Sequence, residues 1–274
     1  MLIIIYLNRI ISIKNRQKKL TVSDEGLTFK LLLQTNIDCI NIMTLIIDLQ
    51  YFPSIILYKT LYNFSNIVFE QYESYQKMSF RNRCQIVGAE GVIDLSIPLV
   101  RGRDQKALMK DVRISGAQPW QSQHWKTIVS CYSRSPWFEF YRDELEGLYG
   151  RQWNFLLDWN LVCFEWTMKA LGMTVPVSLT ESYEKGYAAD RVTDWRGKIL
   201  PKHLAGGMAG PGEGMAGFHG AGLANGSVTG STVDGGVRPY RQVFEERIGF
   251  IPNLSVLDLL FCEGKQSIRY LRSS

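Results

Sequence analysis

The sequence predicts an α/β fold: a mixed sheet with a Rossmann-like strand-helix-strand opening and a helical block packed beside it. Three observations carry this expectation. Thr44 to Leu49 is a nearly unbroken apolar run of strand length; Pro53 then opens a helical stretch to about Asn63, and Asn66 to Glu70 resumes a strand. Arg83 to Val87 and Val92 to Val100 are two strands joined by Gly88-Ala89-Glu90-Gly91, a hairpin-like pair that argues against a purely parallel sheet. From Pro119 to Gly172 the apolar residues recur at helical spacing.

The remaining elements follow in order. Asp111 to Ile114 is a further short strand. Pro119 to about Tyr132 is a helix with Trp125, Ile128, Val129 and Tyr132 on its apolar face. Ser135 and Pro136 have the chemistry of an N-cap and first helical residue, opening a helix to Tyr149 that stops at Gly150. Asn154 to Leu171 is a longer apolar helix ending at Gly172, and Val175 to Leu179 resumes a strand. Ser255-x-x-Asp258 before an apolar run reads as a capping box; no Gly-x-Ser-x-Gly elbow surrounds Ser255, so a nucleophile role is discounted.

Two segments stand apart. Residues 1–42 show no convincing period, and Met43 opens the first clean strand; an over-extended start and an ordinary N-terminal helix or arm are equally compatible with this. Residues 43–274 are then expected to form a single domain, interrupted at about 205–236 by a glycine-rich stretch without apolar anchors. Such a stretch cannot offset its ordering entropy by burial, so a flexible loop is expected. It lacks the preceding strand, following helix and Lys-Ser/Thr ending of a phosphate-cradling loop.

Composition excludes several classes. The chain of 274 residues is 46% hydrophobic and 21% charged, as in ordinary globular proteins. A net charge of +5, without a Lys/Arg stripe and interleaved aromatics, argues against nucleic-acid binding. Five scattered cysteines, none in a Cys-x-x-Cys pair, indicate core thiols in a reducing compartment. His124, His203 and His219 offer no spacing for a zinc site, so no metal is expected, and no cofactor is implied. The apolar stretch at Met1 to Ile13 is short and lacks a cleavage site, and Ile37 to Leu57 is broken by Asp48, Gln50 and Pro53. With neither a leader nor a span, a cytoplasmic protein is expected, without a membrane partner.

Gln50-Tyr51-Phe52-Pro53, Tyr75-Gln76-Lys77, Phe80-Arg81-Asn82-Arg83-Cys84-Gln85-Ile86 and Leu95-Ser96-Ile97-Pro98-Leu99 form an ordered set of motifs. Trp120 through His124 and Trp125 to Tyr132, Ser135-Pro136, Arg238 to Phe244 and Gly249 to Leu260 complete it. In this order the chain resembles the WbqC-like proteins of bacteria; residues 1–42 and the glycine-rich insertion look foreign to that pattern. The resemblance implies a role in surface-polysaccharide synthesis, by acyl or aminoacyl transfer to an activated amino sugar. A non-catalytic binding or assembly protein, marked by an exposed aromatic patch at Trp137, Phe138, Phe140 and Tyr141, is the alternative; nucleotidyl transfer is a second.

Alternation along a strand would send Arg81 and Arg83 to one face, where with Lys77 they could grip a phosphate or carboxylate. The competing reading is a surface salt-bridge cluster with Glu70, Glu73 or Asp94. Gln50 and Tyr51, at the exit of the first strand, and Asn82 are expected to orient a small anionic substrate such as a nucleotide sugar. His124, whose ordinary pKa lies near neutrality, is the candidate acid or base, set against the reading of a packed core histidine. Asp143, Glu144 and Glu146 read as a solvated helix face. On this scheme Arg81→Ala would impair turnover while leaving the protein folded.

Overall fold

A computed structural model describes residues 43–102, 106–187, 191–204 and 237–272. The N-terminal 1–42 stretch and the glycine-rich 205–236 stretch, with the expectations placed on them, lie outside the described residues. β1 (Thr44–Asp48) and β2 (Asn66–Glu70) are parallel neighbours connected through α1 (Ile55–Leu61). β5 (Val177–Leu179) adds beside β2, and β6 (Val192–Asp194) pairs with the opposite edge of β1, giving a wholly parallel sheet of order β5-β2-β1-β6. β1 therefore has neighbours on both edges, and its side chains from Leu45 to Asp48 are buried, which is why it reads as continuous rather than alternating apolar sequence.

β3 (Arg83–Gly88) and β4 (Gly91–Ser96) form a separate antiparallel hairpin closed at Ala89 and Glu90. The predicted mixture of parallel and antiparallel pairing is present, divided between two sheets. Asp111 to Ile114 is not a strand: Met109–Asp111 is a 3-10 turn, followed by single bridges from Arg113 to Phe155 and from Ile114 to Leu99. β6 went unrecognised in the sequence, being too short for a period to show.

The helical block comprises α2 (Trp120–Tyr132), α3 (Phe138–Tyr149) and α4 (Leu156–Leu171). α4 ends on Gly172, whose φ of 66° places it in the left-handed region that closes a helix without a Cβ penalty. Ser135 does not cap α3. Its hydroxyl donates to the Tyr132 carbonyl (2.7 Å), finishing the preceding helix, and α3 begins only after Trp137. Pro53 likewise precedes the N-cap, Ser54, instead of occupying the first helical position.

After α5 (Pro201–Leu204) and α6 (Glu245–Ile248), the apolar α7 (Val256–Glu263) is buried nearly all round and α8 (Ile268–Leu271) follows. Ser255 accepts a hydrogen bond from Leu257 N (3.3 Å), as a cap should. Asp258 does not complete a capping box, since the Ser255 N–H donates to the Gln85 carbonyl. Its buried carboxylate accepts instead from the Tyr132 hydroxyl (2.7 Å), the Gln242 amide (3.0 Å) and the Tyr240 hydroxyl, joining α2, α7 and the 237–244 segment.

α7 stops at Gly264 with φ of 55°, where an added Cβ would run into the Trp137 indole. Gly264→Ala is expected to cost about 2 kcal/mol from left-handed strain and overpacking combined. A lowered chemical-denaturation midpoint with unchanged m-value would check this.

Candidate functional site

Three of the four parallel strands end in an acid: β1 in Asp48, β2 in Glu70 and β6 in Asp194. The parallel register sets Asp48 directly opposite Glu70. Like charges held side by side repel, so the end of the sheet requires cations. Arg81 and Arg196 supply them. Arg81 Nη1 lies 3.8 Å from Asp48 Oδ2, and its Nε (3.2 Å) and Nη2 both donate to Glu73 Oε1. Arg196 Nη1 donates to Glu70 Oε2 (3.1 Å), while Nε (3.0 Å) and Nη2 (2.6 Å) grip Asp194 as a fork. Tyr183 and Tyr187 lie against the Arg196 guanidinium at 5.3 and 5.2 Å.

These groups surround the carboxyl ends of the strands. The chain leaves β1 toward β2 and β5 on one side and later returns with β6 on the other, so β1 and β6 flank the topological switch point. Open parallel sheets collect ligands at this place. A cleft of about 350 Å³ lies there, lined by Glu73, Tyr183, Asp194, Arg196 and Lys198. That volume accommodates a small polar molecule.

Burial works against the Arg81 charge, but Asp48 and Glu73 together outweigh it and raise its pKa. Burial raises the Glu73 carboxyl, and Arg81 draws it back only in part. For Asp194 burial also acts upward, yet the hydrogen bonds and charge of Arg196 win and hold it below the usual carboxylate range. The Asp194 hydrogen bond is the main cause of the raised Arg196 pKa.

The sequence candidates divide. Gln50 and Arg81 meet on Asp48: Gln50 Nε2 donates to Asp48 Oδ2 (3.0 Å), and both side chains are fully buried. Arg81 is not on a strand face with Arg83, because β3 begins at Arg83 and Arg81 sits in the turn before it. Arg83 instead pairs with Asp94 (3.3 Å) at the partly exposed hairpin edge. The surface salt-bridge reading thus fits Arg83, whereas Arg81 pairs with Asp48 and Glu73 in the interior. Lys77 is exposed on the same turn and does not line the cleft. Asn82 binds locally, accepting from the Tyr75 hydroxyl (2.8 Å) and donating to the Ile97 carbonyl (3.0 Å). Because Arg81 is buried between two carboxylates, Arg81→Ala is expected to destabilise the fold and not to act on the site alone.

Tyr51 and His124 belong to the aromatic core. The Tyr51 hydroxyl shares hydrogen bonds with His124 Nδ1 (3.1 Å) and the Tyr149 hydroxyl (2.6 Å). Trp159 packs against Tyr51, Trp120 and Tyr149. Burial lowers the His124 pKa to about 4, only partly opposed by a Ser96 backbone hydrogen bond, so the ring is neutral near pH 7. Phe52, next in the chain, has φ of 35°, an unfavourable backbone for a bulky residue, and its buried ring packs edge-on to Trp159 and Trp166. The anticipated aromatic patch is not continuous: Phe138 and Tyr141 are buried, and Phe140 is exposed.

Sequence reasoning missed Asp48, Asp194, Arg196, Tyr183 and Lys198, and treated Glu70 and Glu73 only as salt-bridge partners. Asp48 and Glu70, acids closing apolar strands, were the available signal; Asp194 closes a strand too short to read. A second cavity, of about 490 Å³, is lined by residues including Lys126, Thr127, Ser130, Cys131 and Phe244, and has no comparable convergence of charge. Among the described residues no helix is long and apolar enough to cross a membrane.

Residues 50–270 match the WbqC-like protein family, a span that contains every residue lining the charged cleft. No curated protein and no solved structure matches the chain.

Proposed function

The chain belongs to the WbqC-like protein family, and from that premise we propose that the cleft at the carboxyl ends of the parallel strands binds an activated amino sugar. The protein transfers an acyl or aminoacyl group to the sugar's amine, in bacterial surface-polysaccharide synthesis. The observation that carries this reading is the convergence of Glu73, Asp194, Arg196 and Lys198 around a cleft of about 350 Å³ at the switch point. A ligand with both an amine and phosphate groups matches such a two-signed lining. Tyr183 adds an aromatic wall of the kind that packs against a sugar or base face.

The chemistry asked of the site is limited. The amine, bound as an ammonium, first gives up one proton; its lone pair then attacks the acyl carbonyl carbon, a C–N bond forms, the bond to the leaving group breaks, and a second proton leaves the nitrogen. Positioning the two reactants and receiving those protons are tasks for fixed polar groups. Arg81 is engaged with Asp48 and Glu73, so its part is to hold those carboxylates in place. Arg196, whose donors are largely spent on Asp194, Glu70 and the Glu184 carbonyl, contributes its charge to the positive side of the lining, which Lys198 shares.

Thermal-shift measurement with nucleotide amino sugars, plain nucleotides and acyl-coenzyme A compounds tests the reading. A nucleotide amino sugar at a hundred times its Kd is expected to stabilise the fold by about 2.7 kcal/mol. Mass spectrometry of the stabilising sugar, incubated with an acyl donor, should then show the acylated product. Failure of every nucleotide amino sugar to stabilise the protein would remove this function.

A further inference from the structure

We propose that Glu73 receives the ligand's protonated amine through its Oε2 oxygen, and so selects free amino sugars over their N-acyl forms. This deepens the reading of the cleft given above and rests on it. The four carboxylates at the end of the sheet are not equivalent. Asp48 Oδ1 accepts from Gly197 N (2.7 Å) and Oδ2 from Gln50 Nε2 (3.0 Å). Glu70 Oε1 accepts from Tyr72 N (2.7 Å) and the Thr180 hydroxyl (2.9 Å), and Oε2 from Arg196. Both oxygens of Asp194 are held by Arg196.

Glu73 differs. Both of its bonds from Arg81 converge on Oε1, and Oε2 takes no hydrogen bond from any described residue. Glu73 also lines the cleft, with its side chain 16% exposed. One carboxylate oxygen is therefore fixed by a buried guanidinium while the other remains available to a ligand.

The unengaged Glu73 oxygen is an acceptor, so the ligand group that suits it is a donor. An ammonium offers three N–H donors and no acceptor. It also offsets the burial that disfavours the ionised Glu73 carboxyl. N-acylation removes the positive charge and leaves a single N–H.

Titration calorimetry with a nucleotide-linked glucosamine and its N-acetyl form tests the assignment, using the full chain and its Glu73→Gln and Glu73→Asp variants. The natural protein is expected to bind the free amine about tenfold more tightly or better, the worth of one charge-assisted hydrogen bond. Glu73→Gln should abolish that preference while changing affinity for the N-acetyl compound less than about twofold. Should Glu73→Gln fail to fold, Glu73→Asp, which keeps the charge on a shorter arm, should retain part of the preference. Equal binding of the two compounds by the natural protein, or a preference unchanged in Glu73→Gln, would overturn the role of Glu73 and leave the cleft reading standing. Binding of neither compound would overturn both.

Discussion

Arg81→Ala is expected to destabilise the protein by about 3–5 kcal/mol, a large part of the stability of an ordinary domain. The side chain is fully buried, and Asp48 beside it is equally so. Removing the guanidinium leaves Asp48 and Glu73 without their shared cation and Gln76 without its donor (3.2 Å). It also leaves Asp48 opposite Glu70 with Arg196 as the remaining guanidinium at that end of the sheet. Replacing the charged partner of a buried pair is far more damaging than replacing the pair as a whole. Arg81→Lys should recover part of the loss, because it restores the charge without the fork. Urea denaturation of the three proteins decides the matter, and an Arg81→Ala protein of native stability would contradict the buried position of this side chain.

Stability should fall as the solution is acidified from about pH 6.5 to pH 4, with His124 contributing about 3 kcal/mol of the loss. In the unfolded chain the imidazole takes a proton near its ordinary value. In the folded chain burial lowers its pKa to about 4, so the unfolded state binds more protons across this window. Stability from this group is full above the window and lost below it. Asp258 and Glu73, whose pKa values are raised mainly by burial, act in the opposite sense as pH falls through their own range. The His124 contribution is therefore read as a difference. His124→Gln should flatten the pH dependence of the denaturation midpoint relative to the natural protein. An unaltered slope would place His124 in contact with water rather than with Tyr51 and Trp120.

The parts of the fold legible in the sequence are those governed by local pattern. Thr44 to Asp48 and Asn66 to Glu70 are apolar enough to be buried strands wherever they lie, and the hairpin carries its own turn at Ala89 and Glu90. Partner choice is not a local property, so the pattern could not divide these strands between two sheets. Ser135 and Asp258 illustrate the same limit. Both have capping chemistry, but one hydroxyl found a closer carbonyl at Tyr132, and one carboxylate was drawn to tyrosines far away in sequence.

The site was legible only in outline. Arg81 and Gln50 were singled out from their motifs and do converge on Asp48. Their burial depends on Glu73, on Asp48 and on Asn160, which fixes the Arg81 carbonyl from α4 (2.7 Å). No strand periodicity reports such an arrangement. Tyr51 was placed with Gln50 because they are consecutive, yet consecutive residues leaving a strand point to different sides: Gln50 to the charged end of the sheet, Tyr51 to the aromatic core. Asp194 ends a strand of three residues and Arg196 follows it, too short a strand to read from the sequence, so the readable sign was the acid ending each of β1 and β2.

Hydrogen exchange with and without a stabilising nucleotide amino sugar tests most directly whether the sheet's carboxyl-end cleft is the binding site. Slowed exchange is expected in the peptides around Glu73, Tyr183 and residues 194–198, with little change around Lys126 to Cys131 at the second cavity. Slowing confined to the Lys126 to Cys131 face and Phe244 would contradict the account.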